Sequence, residues 1–241
     1  MNVYWLEQTE AEVPTGNDWL SENEILCRKG LRFPKRRADW QLGRWTAKCA
    51  VAACLKIPTN PEVLERLEIR ARPSGAPQVF VANKPVGFTI SLSHREGNAL
   101  CAVARTSIDL GCDLETIEPR SNAFVSDYFT AKEQAMVAAR SEADRPSFLA
   151  LLWSAKESAL KALQTGLRLD TRSVCVSFEP GPDVNGWSPL QVRYAAAGKI
   201  FHGWWQSAPG SVRTMVASPA PKAPLPLQAP AYYPENAAWC A

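Results

Sequence analysis

Between Ala38 and Leu55 the apolar side chains Trp40, Ala47, Val51, Cys54 and Leu55 return at helical spacing, which predicts a helix that Pro58 stops. Phe148 to Leu163 shows the same rhythm, with Gly166 as its end signal. Shorter helices are predicted at Pro61–Leu67, where proline suits a first turn, and at Ala131–Ala139. Alternation bounded by Gly, Pro, Asn and Ser predicts strands at Gln78–Val81, Phe88–Leu92, Ala99–Ala104, Ile108–Leu114, Val174–Phe178, Ile200–Gln206 and Val212–Ala217. The order (helix, strands, helices, strands) describes an α+β fold in two halves that meet near Arg105–Ile108, although no sequence repeat is visible. The expected division is 1–106, 107–218 and a proline-dense tail, 219–241. That tail should be extended and partly polyproline II, with Leu225, Leu227, Tyr232, Tyr233 and Trp239 as its anchors.

Composition narrows the class. With 46% hydrophobic residues in 241, the chain can bury a core, which excludes general disorder. No apolar run approaches the roughly 18 residues of a membrane span, and the N-terminus lacks a basic region followed by an apolar stretch. A cytoplasmic protein without membrane partners is expected. Seven cysteines, an odd number with no C-x-x-C, read as free thiols rather than a disulfide framework or a zinc site.

Charge is unevenly placed. The net value is +3, yet Arg28, Lys29, Arg32, Lys35, Arg36, Arg37, Arg44 and Lys48 face only Asp39 in their stretch, a local +7 that leaves −4 elsewhere. Such a block suits an anion site, and a solvated helix face is the plain alternative.

Three further groups could do chemistry. Asp113 and Glu115 alternate along a strand and so project to one face, where two like charges call for a cation; hard oxygen ligands suit Mg²⁺. Two acids on an exposed strand end, each with its own Lys or Arg, would also explain them. Gly111 permits close backbone approach nearby. In Trp153-Ser154-Ala155-Lys156-Glu157-Ser158-Ala159-Leu160-Lys161, at about 100° per residue, one arc carries Trp153, Lys156, Glu157 and Lys161. An i,i+4 surface ion pair accounts for Glu157 and Lys161 alone. His94, in Ser91-Leu92-Ser93-His94-Arg95-Glu96-Gly97, closes a strand before a Gly-containing turn, where Ser93, the imidazole and backbone N–H groups could hold a phosphate. A Ser–His nucleophile is the competing reading and lacks a third residue to orient the imidazole. His202 reads as a packed strand residue. Cations for phosphates and carboxylates for a divalent ion are together the equipment of phosphoryl-type transfer.

In their order these blocks resemble the 4′-phosphopantetheinyl transferases, of the long, two-half type that activates nonribosomal peptide and polyketide synthases. The matching stretches are Arg37-Ala38-Asp39-Trp40-Gln41-Leu42-Gly43-Arg44, Phe88–His94, Gly111-Cys112-Asp113-Leu114-Glu115 and Trp153–Lys161, with Phe129-Thr130-Ala131-Lys132-Glu133 before the last. The resemblance implies a pseudo-dimer of two similar α+β halves with the active site in the cleft between them. It implies transfer of the phosphopantetheine arm of coenzyme A to a serine of an acyl or peptidyl carrier protein, releasing 3′,5′-ADP. Asp113, Glu115 and Glu157 would hold Mg²⁺, or Mn²⁺, which accepts the same oxygens. Glu157 would also be the base and Lys161 would neutralise the pyrophosphate, while Ser93 and His94 contact phosphate. Arg44 with Arg36 or Arg37 would grip the 3′-phosphate. The chain departs from the family at Arg95, where serine is usual, and at Gly75-Ala76-Pro77, where the family has Gly-Lys-Pro; Arg72 is the candidate substitute.

A monomer is expected, which an obligate trimer in light scattering would contradict. The carrier should dock on a basic or apolar surface, the candidates being the Ala131–Ala139 helix and the loop Ser121–Ser126. A nucleic-acid-binding module would use the basic block and leave the acids idle, so no nucleic-acid partner is expected. A Mg²⁺-dependent hydrolase of nucleotides or coenzyme A would share the same residues and need no carrier. A catalytically dead homologue is a further alternative, against which the intact Asp113, Glu115, Glu157 and Lys161 argue.

Overall fold

The computed structural model describes residues 1–165 and 168–233. The predicted end signal Gly166, the anchor Trp239 and Cys240 lie outside the described residues. Among the described residues the chain divides into two compact units, one formed by Tyr4–Ser107 with residues 226–233, the other by Met1–Val3 with Ile108–Leu225. Both are mixed α+β.

In the first unit, β1 (Tyr4–Thr9) leads to α1 (Glu22–Lys29), α2 (Pro34–Leu55) and α3 (Pro61–Arg66). Then come β2 (Leu67–Ala71), β3 (Pro77–Val81), β4 (Lys84–Pro85), β5 (Thr89–Arg95) and β6 (Asn98–Ala104). Strands β1, β6 and β5 form an antiparallel sheet in that order, and β2, β3 and β4 a smaller one. Helix α2 begins four residues before the predicted start because Pro34 occupies the first turn, where a missing N–H costs nothing. Its buried side chains, among them Trp45, Val51 and Cys54, join Leu64, Ile69, Val79, Ile90 and Val103 in one core. The tail extends the sheet edge, with the Leu227 N–H donating to Trp5 O at 2.7 Å. Leu227 and Tyr232 pack on the core, the Tyr232 ring 5.1 Å from Trp45, whereas the side chains of Leu225 and Tyr233 stay exposed and these residues hold on through their backbone N–H groups, which donate to Val3 O at 3.0 Å and Thr59 O at 3.4 Å.

The second unit runs β7 (Asp109–Thr116), α4 (Asn122–Tyr128), α5 (Ala131–Ala138), α6 (Arg145–Ala162), β8 (Val174–Phe178), β9 (Ser188–Tyr194), β10 (Lys199–Ala208) and β11 (Ser211–Ser218). Its sheet has the antiparallel order β7-β11-β10-β9-β8. Helix α6 lies on it, burying Leu149, Leu152, Ala155, Ala159 and Leu160 against Val174, Val176, Leu190, Val192, Phe201 and Val216. The stretch 121–126, expected as a loop, is instead an N-cap and helix: the Ser121 hydroxyl accepts from Phe124 N at 3.1 Å and opens α4.

One arrangement occurs in both units. In the first, Ser21 and Glu24 make a capping box at the start of α1, and Glu24 pairs with Lys48 of α2 at 2.6 Å. In the second, Thr130 and Glu133 make a capping box at the start of α5, and Glu133 pairs with Lys156 of α6 at 2.8 Å. No helix among the described residues is long and apolar enough to cross a membrane. Cys27, Cys49, Cys54, Cys101, Cys112 and Cys175 are free thiols.

Candidate functional site

Strand β7 carries the carboxylates because its alternation puts Gly111, Asp113 and Glu115 on one face. That face lies against α6: a Cβ built on Gly111 would stand 1.8 Å from Ser158 O. The absent side chain therefore lets strand and helix backbones approach, bringing Glu157 and Lys161 of α6 toward the two acids. Lys161 Nζ donates to Asp113 Oδ1 at 2.7 Å and to Cys112 O at 3.1 Å. Beneath them the buried hydroxyls of Ser154 and Ser158 meet that of Thr214, the β11 residue paired with Asp113, at 2.9 and 2.7 Å.

Both strand acids are buried, Asp113 at 4% and Glu115 at 8% exposure, so the exposed-strand-end alternative fails on exposure. It holds on partners, since each has a cation: Asp113 has Lys161, and Glu115 has Arg120 at 3.4 Å. Arg120, which also meets Glu118 at 2.8 Å, was missed by sequence reasoning. Its only signal is position, five residues beyond Glu115 in the turn after the strand. Glu157 has its carboxyl pushed up to about 7, first by burial and then by the Asp113 and Glu115 charges, with Lys161 pulling the other way. Burial works to lower the Lys161 ammonium, but Asp113 beside it prevails and raises it. Among the described residues no three His, Cys, Asp or Glu side chains converge as a ready metal group. The donor chemistry nonetheless suits a hard divalent cation: oxygen-only ligands, with mutual repulsion that a cation would relieve.

The arc predicted on α6 comes apart. Lys156 is fully buried and bonds Glu133 rather than joining Lys161, because its position turns it under the helix toward α5 and β8. Trp153 packs edge-on against Phe124 and Tyr128, with centroids 5.1 and 5.2 Å away. An open groove of about 610 Å³ between Arg140, Phe148, Phe178 and Trp205 lies elsewhere in this unit and is lined by none of the site residues.

The phosphate candidates lie in the first unit, and they divide. Lys48 is wholly buried on Glu24 and offers nothing to an anion. Arg37 Nη1 donates to the carbonyls of Leu31 and Arg32, tying the turn before α2. Arg44 lies over the Trp40 ring, its Nε 3.9 Å from Glu24 Oε1, and burial lowers its pKa against the Glu24 charge. Arg36 and Arg72 are exposed, Arg72 in the turn between β2 and β3. Ser93 and His94 are neighbours on β5 and so face opposite ways, Ser93 buried at 7% and His94 exposed. The expected shared phosphate loop and the Ser–His nucleophile both fail on that geometry. The turn itself is Glu96-Gly97, with φ +47 and +74, a two-residue hairpin turn. The His202 side chain, expected to be packed, is 40% exposed on β10, its Nδ1 3.7 Å from Glu179 Oε1.

Residues 109–197, the stretch holding Asp113, Glu115, Glu157 and Lys161, match the family model described as the 4′-phosphopantetheinyl transferase superfamily. Among solved structures, the chain is similar to a holo-(acyl-carrier-protein) synthase from Bacillus anthracis str. Ames, solved in complex with CoA (3′,5′-ADP). The likeness has 23% identity and a TM-score of 0.36, over 42% of this chain and 92% of that one. No curated protein matches the chain.

Proposed function

We propose that the protein transfers the 4′-phosphopantetheine arm of coenzyme A to a serine hydroxyl of an acyl or peptidyl carrier protein, releasing 3′,5′-ADP. The observation that carries this reading is the group formed by buried Asp113 and Glu115 with half-buried Glu157 and Lys161 within the segment that matches the superfamily model.

In this reading the serine oxygen forms a bond to the phosphorus bearing the pantetheine arm, and the bond from that phosphorus to the oxygen of 3′,5′-ADP breaks. Glu157 is the carboxylate placed to take the serine proton, its carboxyl pushed up to about 7 by burial and by the Asp113 and Glu115 charges while no cation is bound. Lys161, fixed by Asp113 and Cys112 O, is the cation that neutralises charge as the pyrophosphate bond breaks. Arg120 restrains Glu115. Asp113, Glu115 and Glu157 would hold Mg²⁺, which when bound withdraws charge from the pyrophosphate oxygens. In the first unit Arg44 and Arg36 are the residues for the 3′-phosphate, Arg37 being occupied by carbonyls, with exposed His94 and Arg72 as further phosphate contacts.

The test is intact-mass spectrometry of apo carrier proteins mixed with the protein, coenzyme A and Mg²⁺. A gain of about 340 Da on the carrier that EDTA abolishes is expected of metal-assisted transfer. Release of 3′,5′-ADP without any carrier gaining mass would replace the transferase reading with a hydrolase.

A further inference from the structure

We infer that the two buried Glu–Lys pairs are positioning devices: Glu133–Lys156 fixes Glu157 on α6, and Glu24–Lys48 fixes Arg44 on α2. The inference rests on the proposed transferase reading for what those two side chains do.

Each pair uses its hydrogen-bonding capacity on separate elements. Lys156 Nζ donates to Glu133 Oε2 at 2.8 Å, Thr171 O at 2.9 Å and Val174 O at 2.6 Å, so its three N–H groups are engaged. Glu133 accepts from Thr130 N and Oγ1 at 2.9 and 2.8 Å, and from Val176 N at 2.9 Å. Lys48 Nζ donates to Glu24 Oε2 at 2.6 Å and to Trp19 O and Leu64 O, both at 2.8 Å. Glu24 accepts from Ser21 N at 3.2 Å and Ile69 N at 3.1 Å. Each ammonium also lies over an aromatic ring, Phe129 at 5.6 Å and Trp19 at 5.5 Å.

Stability alone is a poor reason for such pairs, since desolvation offsets their attraction and well-packed apolar residues often serve as well. Geometry is the better one. A helix pinned through three donors of one lysine can neither slide nor rotate without breaking several bonds at once, and the neighbours of that lysine inherit its fixed setting. The residue after Lys156 is Glu157, about 100° around α6. On α2 the inherited setting falls on Arg44, one turn before Lys48, and Glu24 faces both cations. The residue after Lys48 is Cys49, whose thiol burial pushes up to about 12, so that position carries no charge. The two pairs therefore serve as each other's control.

The experiment compares Glu133→Gln/Lys156→Met with Glu24→Gln/Lys48→Met in the full chain. Removing both charges avoids a lone buried ion. Transfer kinetics should split: the first variant loses kcat by about tenfold or more with little change in KM for coenzyme A, and the second raises that KM with little change in kcat. Equal losses in both parameters for both variants would overturn the inference. Amide exchange supplies a readout independent of activity, with α6 around Glu157 and the Val176 amide loosening only in the first variant, and α2 around Arg44 and the Ile69 amide only in the second. Unchanged protection at those sites would also overturn it. Should a double variant fail to fold, Lys156→Arg and Lys48→Arg keep the charge and alter the reach, with the same split expected. A wild-type chain that transfers nothing sinks the transferase reading instead, and exchange alone then judges the pairs.

Discussion

Replacing Gly111 with alanine adds one methyl group at the closest contact between β7 and α6. Built on the present backbone, that carbon would lie 1.8 Å from Ser158 O and 2.8 Å from Ala162 N. Real Cβ contacts essentially never fall below 3.0 Å, so the two backbones must part by at least about 1.2 Å at Ser158. Neither neighbour is a side-chain tip that could swing away. Parting them also stretches the 2.7 Å contact between Lys161 and Asp113 past hydrogen-bond length. Overpacking of this kind costs about 3 kcal/mol. The lower entropy of alanine in the unfolded chain works the other way by only about 0.5 kcal/mol, so the net change is a loss.

Urea unfolding followed by tryptophan fluorescence measures this, with Gly43→Ala as the control. Gly43 sits inside α2, and a Cβ added there would meet nothing within 4 Å, so the same substitution should stabilise by about 0.5–1 kcal/mol through helix propensity. If the two units unfold in separate transitions, each variant should move only its own. A Gly111→Ala protein within about 0.5 kcal/mol of wild type would refute the close-approach account of the site.

Other expectations follow from the same geometry. Asp113→Asn removes the charge that fixes Lys161 and should lower transfer by about 100-fold with the fold intact, as read by intact mass and circular dichroism; near-normal turnover would remove Asp113 from the site. Arg44→Ala should raise KM for coenzyme A about tenfold and leave dephospho-coenzyme A nearly unaffected, and equal effects would mean it does not read the 3′-phosphate. Glu157, held near 7, binds its proton more tightly folded than unfolded, so stability in EDTA should fall by about 2 kcal/mol as pH rises from about 4.5 to 7, partial exposure being allowed for. Mg²⁺ should remove that slope, and urea midpoints that rise across the window would refute the assignment.

Where local pattern and tertiary role coincided, the sequence was readable. Helices α2 and α6 are rich in apolar residues along their length and could be placed, though not their faces, and β7 puts its glycine and both acids on one face, so the close approach at Gly111 could be named in advance. Elements with little apolar rhythm were not. Helix α1, Glu-Asn-Glu-Ile-Leu-Cys-Arg-Lys, has its apolar residues Ile25, Leu26 and Cys27 in one run without helical period, and it declares itself only through the Ser21–Glu24 capping box. Strand β9 carries Pro189 at an early position, which weakens a strand pattern that its partners β8 and β10 nevertheless enforce.

Charge was the most misleading signal, because a count along the chain cannot see a partner elsewhere in it. Of the eight cations in the basic block, Lys48 belongs to the core, Arg37 to backbone carbonyls and Arg44 in part to Glu24. Lys156 falls on one arc with Trp153, Glu157 and Lys161 by sequence count but leaves it in the structure for the same reason, its partner Glu133 lying 23 residues upstream. Seen together, the pairs expose a correspondence hidden from residue-by-residue reading: Ser21 to Glu24 then Lys48, and Thr130 to Glu133 then Lys156. The boxes agree and the spacings to the lysine, 24 and 23 residues, differ by one, while the following residues do not match. Cys49 and Ala53 in one unit stand where Glu157 and Lys161 stand in the other, one and five positions beyond the lysine. The shared part of the arrangement is what seats a long helix, and the part that differs is what could act on a substrate.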